Sequence, residues 1–293
     1  MINSISFHRF RSLFRFAAAA LILLSSGLAA TGQTRADSLR EVLLTQPEQL
    51  LVAAHRGDHL SHPENSIPAF QGAIEAGAAV LELDVRQSKD GELVVVHDRT
   101  VDRTTDGRGT VERMTLEQLK KLRLLHNGAA TEHRIPTLRE ALESVKGRIL
   151  VDIDFKAGNM EAAKACYAVI EELGMEKQVL FFLYDAKQVS KCLALNPDVL
   201  VMPRAHSADE VHTIMQEPLI RVIHIDESFY EAGLVRMMRE KGVRVWANSL
   251  GEYDRQAQQQ GGSYHSFAER LPLVNIIQTD YPEALVNYLS EKK

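Results

Sequence analysis

With only two cysteines in 293 residues, the chain cannot be a disulfide scaffold. Cys166 and Cys192 each sit in a segment of helical periodicity, with neither CxxC spacing nor a histidine neighbour. They read as two buried thiols or as one bridged pair. Basic charge is also in short supply: 34 Lys and Arg stand against 39 Asp and Glu, which leaves no field for a nucleic-acid backbone. Glycine (17) and proline (9) are too few for a collagen-like or low-complexity chain, and no internal repeat appears. Nothing in the sequence points to an obligate protein partner. What remains is an ordinary globular composition, 45% hydrophobic and 25% charged, long enough to bury a large core unaided.

The first 36 residues differ from the rest. Arg9, Arg11 and Arg15 with His8 make a basic start free of acids, followed by the apolar run FAAAALILLSSGLAA and the polar TGQTRADS. A charged beginning, a short apolar stretch and small residues are the order of a secretory signal peptide, here residues 1–36 with cleavage near Ala29 to Ala36. The alternative is an N-terminal anchor, but the run falls short of the ~20 apolar residues that a bilayer span needs. No later segment is long and apolar enough to span. The expectation is a mature barrel of residues 37–293, periplasmic or secreted.

From residue 50 onward, short β-branched runs alternate with helical patterns. Eight runs read as strands: Leu50–His55, Val80–Val85, Ile149–Phe155, Val179–Leu183, Val199–Met202, Arg221–Asp226, Val243–Asn248 and Val274–Thr279. Near-continuous apolar strands separated by helices imply a parallel sheet covered on its outside, and eight of them fit an α/β fold of the (β/α)8 TIM-barrel type. A ninth run, Glu92–His97, follows the turn signal Asp90-Gly91 and reads as a hairpin over Arg86–His97. The stretch 86–137 is then an insertion after the second barrel strand, with a short helix over Thr115–Leu122.

Such a barrel places its chemistry at the C-terminal ends of its strands. His55 and Arg56 end the first, where they suit an acid/base and an anion clamp or, equally, a polar strand cap. Glu64 and Asn65 precede a helix, and Asn65 or Ser66 reads as its cap. Glu82 and Asp84 share one face of the second strand, as do Asp152, Asp154 and Lys156 on the third. Carboxylates this close require a proton, a Lys or Arg, or a metal; an oxygen-only set favours Mg²⁺ or Ca²⁺. His97 and Asp98 close the hairpin at the mouth, with Asp98 orienting the ring or merely turning the chain. Two histidines, several carboxylates and two cations are the parts of metal-assisted phosphodiester cleavage.

The motifs HRG, PENS with AF, ELDV, SKDGELVVVHD, RTTDGRG, IPTL and TDYPEAL resemble, in order, those of the glycerophosphodiester phosphodiesterase family. That resemblance implies a (β/α)8 barrel with a small insertion and His55 and His97 as the acid/base pair. It implies Glu82 and Asp84 as metal ligands, with Glu64 at or beside the metal and Arg56 on phosphate. Asp154-Phe155-Lys156 stands where the family has EIK, so Asp154 would be a third ligand one methylene short and Lys156 a phosphate contact. Trp246 would be a wall against glycerol or a core side chain. Asn248, a candidate substrate contact, sits one position earlier than in the family's pattern.

Thr279-Asp280 is expected to close the barrel, His59 and His62 to lie at a solvated rim, and His224 in the core. The activity implied is metal-dependent hydrolysis of small glycerophosphodiesters to sn-glycerol 3-phosphate and an alcohol. The rivals are a lysophospholipase D-type cleavage of lipid diesters and a non-catalytic phosphate-ester binding barrel.

Overall fold

A computed structural model describes residues 32–292, and in it the apolar runs become strands around a common axis. The strands are β1 (Leu51–Ala54), β2 (Val80–Gln87), β3 (Leu93–Val95), β4 (Arg123–His126), β5 (Ala129–Arg134), β6 (Leu150–Phe155), β7 (Val179–Leu183), β8 (Leu200–Pro203), β9 (Val222–His224), β10 (Arg244–Asn248) and β11 (Ile276–Thr279). Eight of them pair in parallel in the order β8-β7-β6-β2-β1-β11-β10-β9. The two ends meet through a bridge between Arg204 and His224, where the Ala205 N–H donates to the His224 carbonyl at 2.9 Å. This is the expected (β/α)8 barrel. The expected leader lies outside the described residues as far as residue 31.

The helices are α1 (Arg35–Thr45), α2 (Ile67–Glu75), α3 (Leu116–Lys121), α4 (Leu138–Val145), α5 (Met160–Glu172), α6 (Val189–Leu193), α7 (Ala208–Ile214), α8 (Ala232–Glu240), α9 (Glu252–Ala257), α10 (His265–Arg270) and α11 (Pro282–Glu291). Among the described residues, none is long and apolar enough to cross a membrane. Their starts follow local chemistry. Ser66 caps α2 through the Ala69 N–H, and Thr137 with Glu140 forms a reciprocal box at α4.

Strand alternation sorts the side chains. Leu81, Leu83 and Val85 of β2 and Val151, Ile153 and Phe155 of β6 face outward into the layer shared with the helices. The barrel interior is apolar at its lower end, where Leu51, Val80, Leu150, Leu200, Met202 and Trp246 meet. Leu43 of α1 joins that cluster, so α1 plugs the barrel floor. The plug is fastened by Arg244 of β10, whose buried guanidinium donates to the carbonyls of Val42, Leu43, Gln46, Pro47 and Gln49. These include carbonyls that the end of α1 leaves without helical partners.

The insertion has a core of its own, centred on Val94, Val101, Val111, Leu119, Leu124 and Ile135. The expected hairpin is present: β2 pairs antiparallel with β3 in the register Val85↔Val95 and Gln87↔Leu93. The expected short helix is α3, capped by Thr115. A second hairpin, β4 with β5, was not anticipated. Its turn is Asn127-Gly128, both at positive φ (51° and 79°), the dipeptide preferred for a two-residue hairpin turn.

Candidate active site

Register brings the acids together. β2 and β6 run side by side with Glu82 opposite Asp152 and Asp84 opposite Asp154, so four inward carboxyls form a two-by-two grid. Oxygens of Glu82, Asp84 and Asp154 lie within 4.8 Å of one another. Burial raises the Glu82 carboxyl well above the usual range, and the charges of Asp84, Asp154 and Asp152 raise it further. Burial raises Asp152 and Asp154 as well, helped by the charges of Asp154 and Asp84 on the first and of Asp84 on the second. Lys156 offsets part of this from 2.7 Å to Asp154 and 3.2 Å to Asp84. One oxygen each of Asp152 and Asp154 is buried without a partner, and Asp84 Oδ1 has only the Lys156 ammonium beside it. Unpartnered buried carboxylate oxygens beside raised pKa values fit a hard divalent cation.

The loop after β1 is strained into place. Arg56 adopts φ +54°, unusual for a non-glycine residue, and its N–H donates to Glu82 Oε2 at 2.8 Å. Gly57 follows at φ +79°, where an added Cβ would lie 2.6 Å from the Ala69 carbonyl oxygen of α2. Only glycine fits there. Asn65, at φ +56°, is more than a cap: its amide donates to Asp84 Oδ2 at 2.8 Å and its Oδ1 accepts from the Asp84 N–H.

Two imidazoles face the cavity that the acids line, a space of about 120 Å³. His97 Nδ1 lies 2.7 Å from Asp98 Oδ1, and His55 Nδ1 lies 2.7 Å from Asp280 Oδ1. Each ring is thereby held by a carboxylate at Nδ1, which leaves Nε2 for chemistry. Asp280 is therefore not merely a barrel-closing residue, and it also contacts His59 Nε2 at 2.9 Å. Burial pushes the Asp280 carboxyl up, but hydrogen bonds from His55 and His59 outweigh it and hold the group well below the usual range. Its backbone is pinned by the Asp280 N–H donating to Asp254, a buried carboxylate that Ser249, Tyr264 and Thr279 also bond.

Glu64 stands apart from the carboxylate triad. Arg103 donates to both its oxygens at 2.6 and 2.9 Å, and Arg56 to one at 3.1 Å. Burial raises the Glu64 carboxyl, yet those arginines bring it below its ordinary value. The same Arg103 guanidinium bonds Asp98 at 2.7 and 3.1 Å and so steadies the carboxylate behind His97. Arg56, expected on phosphate, also approaches Asp84 at 3.3 Å.

The far wall is built from later strands. Trp246 is fully buried and lines the cavity floor, its indole N–H shared between Gln278 Oε1 and Asn248 Oδ1. Asn248 Oδ1 also meets His224 Nε2 at 3.2 Å. His224 is buried as expected, and burial lowers its pKa to about 4. Tyr184, which the sequence reading passed over, places its hydroxyl on Asp154 at 2.8 Å and against Lys156. Away from the site, Cys166 and Cys192 are free and buried.

The chain is similar to several known proteins. The model of the glycerophosphoryl diester phosphodiesterase family matches residues 55–265. A glycerophosphodiester phosphodiesterase of Caldanaerobacter subterraneus is 43% identical over 150 residues, which cover 48% of this chain and 62% of that protein. Human glycerophosphodiester phosphodiesterase 1 is 32% identical over 187 residues, covering 62% of this chain and 54% of that protein. The chain thus spans between half and two thirds of the length of these relatives. Among solved structures, a glycerophosphoryl diester phosphodiesterase from Parabacteroides distasonis superposes with a TM-score of 0.76 at 24% identity, covering 88% of this chain and 92% of that one. An Oleispira antarctica phosphodiesterase in complex with sn-glycerol-3-phosphate gives 0.66 at 22% identity, covering 83% and 98%. These two likenesses bear on the fold, and the family match bears on descent. The chain belongs to the glycerophosphoryl diester phosphodiesterase family.

Proposed function

We propose that the protein hydrolyses glycerophosphodiesters to glycerol 3-phosphate and an alcohol, with a divalent cation, Mg²⁺ or Ca²⁺, held by Glu82, Asp84 and Asp154. One observation carries the reading: two imidazoles, each fixed at Nδ1 by its own carboxylate, line a cavity whose buried carboxylates keep oxygens without partners. The cation, when bound, supplies charge stabilisation to the phosphoryl oxygens. Lys156, at the edge of the acid grid, and Arg56 supply further positive charge for the phosphate. One imidazole accepts the proton of the attacking hydroxyl at Nε2 while the other gives its Nε2 proton to the departing alkoxide. The same pair serves whether the attacker is the substrate's own 2-hydroxyl or water. Asn248 offers the contact for the glycerol part, with Trp246 beneath it as the cavity floor.

The test is direct. Incubated with glycerophosphocholine, the purified protein should release glycerol 3-phosphate, and EDTA should stop it. Full turnover in EDTA would remove the metal from the reading, and no release from any glycerophosphodiester would remove the activity.

A lipid-tailed diester is the second reading, favoured by an apolar trench of about 350 Å³ lined by Phe155, Met160, Phe181 and Leu183. It shares Phe182 and Tyr184 with the catalytic cavity. Lysophosphatidylcholine tested beside glycerophosphocholine separates the two. We further propose export, with the leader removed upstream of Thr34. Thr34 caps α1, and Arg35 donates to the carbonyls of Arg148 and Ala78, so cleavage after Ala36 would strip the plug of its first turn. N-terminal sequencing of the exported protein checks this.

A further inference from the structure

The mouth of the barrel holds a second convergence of ligating atoms. His55 Nδ1, His59 Nε2 and an Asp280 oxygen lie within 4.8 Å of one another. Both nitrogens approach the same Oδ1, at 2.7 and 2.9 Å, and the two rings stand nearly perpendicular with centroids 5.9 Å apart. They reach one point from two directions. Among the described residues this is the one such group that contains imidazole; the other, Glu82–Asp84–Asp154, is all oxygen.

Donor chemistry separates the two groups. Carboxylates alone suit hard cations, whereas two imidazoles and one carboxylate are a zinc set that leaves a fourth position open. Zinc takes nitrogen and oxygen at about 2.0–2.2 Å, so tetrahedral ligands sit roughly 3.4 Å apart. The two nitrogen–oxygen spacings need open by only about 0.5 to 0.7 Å from their hydrogen-bonded values. Its supports are stiff. Asp280 N–H is tied to Asp254 at 2.8 Å, His55 N–H to the Thr279 carbonyl at 3.0 Å, and Asp58 N–H to the Ala69 carbonyl at 2.8 Å. All three side chains keep part of their surface in solvent, so an ion can reach them.

We propose that His55, His59 and Asp280 form a zinc site whose occupation shuts the enzyme down. In the free protein the His55 Nδ1 proton points at Asp280, and Nε2 is the lone-pair nitrogen. Zinc binds Nδ1 through the lone pair that is freed there as the ring proton moves from Nδ1 to Nε2. No proton is lost from the ring, but the nitrogen facing the cavity becomes a donor and cannot accept from an attacking hydroxyl. The His59 proton moves likewise from Nε2 to Nδ1. Inhibition rests on the proposed phosphodiesterase reading; zinc binding does not.

The experiment uses the full folded protein in excess Mg²⁺, which occupies the all-oxygen group. Zn²⁺ is titrated calorimetrically and, in parallel, against turnover of glycerophosphocholine; Co²⁺ serves as a spectroscopic probe. Wild type should bind one Zn²⁺, lose turnover in step with binding, and give the visible absorption of tetrahedral Co²⁺. His59→Gln removes one ligand and should weaken Zn²⁺ binding at least about tenfold, lose the Co²⁺ band and need at least about tenfold more Zn²⁺ to halve its own zinc-free turnover. An identical thermal melt of the two proteins confirms that the variant is folded. If it is not, zinc-edge absorption of wild type decides, with two imidazoles around the ion supporting the site and an all-oxygen shell overturning it. Equal binding and inhibition in wild type and His59→Gln would also overturn it. Zinc bound as described, but to a protein inactive on every glycerophosphodiester, would sink the phosphodiesterase reading and leave the site standing.

Discussion

Replacing Asp280 by Asn tests whether the carboxylate behind His55 does electrical work. The substitution keeps shape and an oxygen that can accept from Nδ1, while removing the charge. When His55 takes a proton at Nε2 it becomes an imidazolium with its charge roughly 4 Å from the carboxylate, worth about 4 kcal/mol at an effective dielectric of about 20. Both side chains retain solvent contact, 17% for His55 and 28% for Asp280, so screening is taken to halve the figure. About 2 kcal/mol withdrawn from the transition state is about a 30-fold fall in kcat. KM should hardly move, because Asp280 faces the histidine and not the phosphate. The assay is steady-state release of glycerol 3-phosphate, with kcat and KM separated, in Asp280→Asn, His55→Ala and the double variant. Groups acting as a unit are not additive, so the second change should add little to His55→Ala. Wild-type kcat in Asp280→Asn, or a full further loss in the double variant, would refute the argument.

Three other outcomes are expected. His97→Ala should lower kcat by roughly 10²–10⁴-fold, the usual worth of a positioned acid or base, with an unchanged unfolding transition. Glu82, Asp152 and Asp154 have folded pKa values raised above their unfolded ones, so the metal-free fold binds more protons than the unfolded chain. Its stability should therefore fall as pH rises from about 4 through the raised values, and Mg²⁺ or Ca²⁺ should raise the melting temperature more at pH 8 than at pH 5. A melting temperature that climbs with pH in EDTA, with no added benefit from the cation, would contradict the acid grid. A chain starting at Asp37 should be about 2 kcal/mol less stable in urea than one starting at Gln33, since it lacks the Thr34 cap and the Arg35 bonds. Equal midpoints would show that the first turn of α1 contributes nothing.

The acid grid was legible because strands have a period of two: Glu82 with Asp84, and Asp152 with Asp154, had to share faces wherever the strands lay. The barrel was legible for the same kind of reason, in eight apolar runs spaced by helical patterns. Residues that act across the chain were hidden. Asp280 reaches His55 over 225 positions, through the pairing of β11 with β1, and no local pattern carries that register. Arg103 joins Glu64 to Asp98 across 39 positions because the insertion folds back over the mouth. Tyr184 follows a strand whose end is known only once β6 and β7 are aligned. The β4–β5 hairpin does have a local signal, the turn dipeptide Asn127-Gly128. Asn65 was half read: its type suited a cap, and its left-handed backbone turned the side chain onto Asp84 instead.

The fastening of α1 by Arg244 has a kinetic consequence. The helix is the first described segment to emerge in synthesis, while the guanidinium that grips its end arrives about 200 residues later. Until then the helix has no socket and the barrel no base, so assembly is governed by contacts remote in sequence, the slow kind. A nascent chain must wait, unclosed, for its tenth strand.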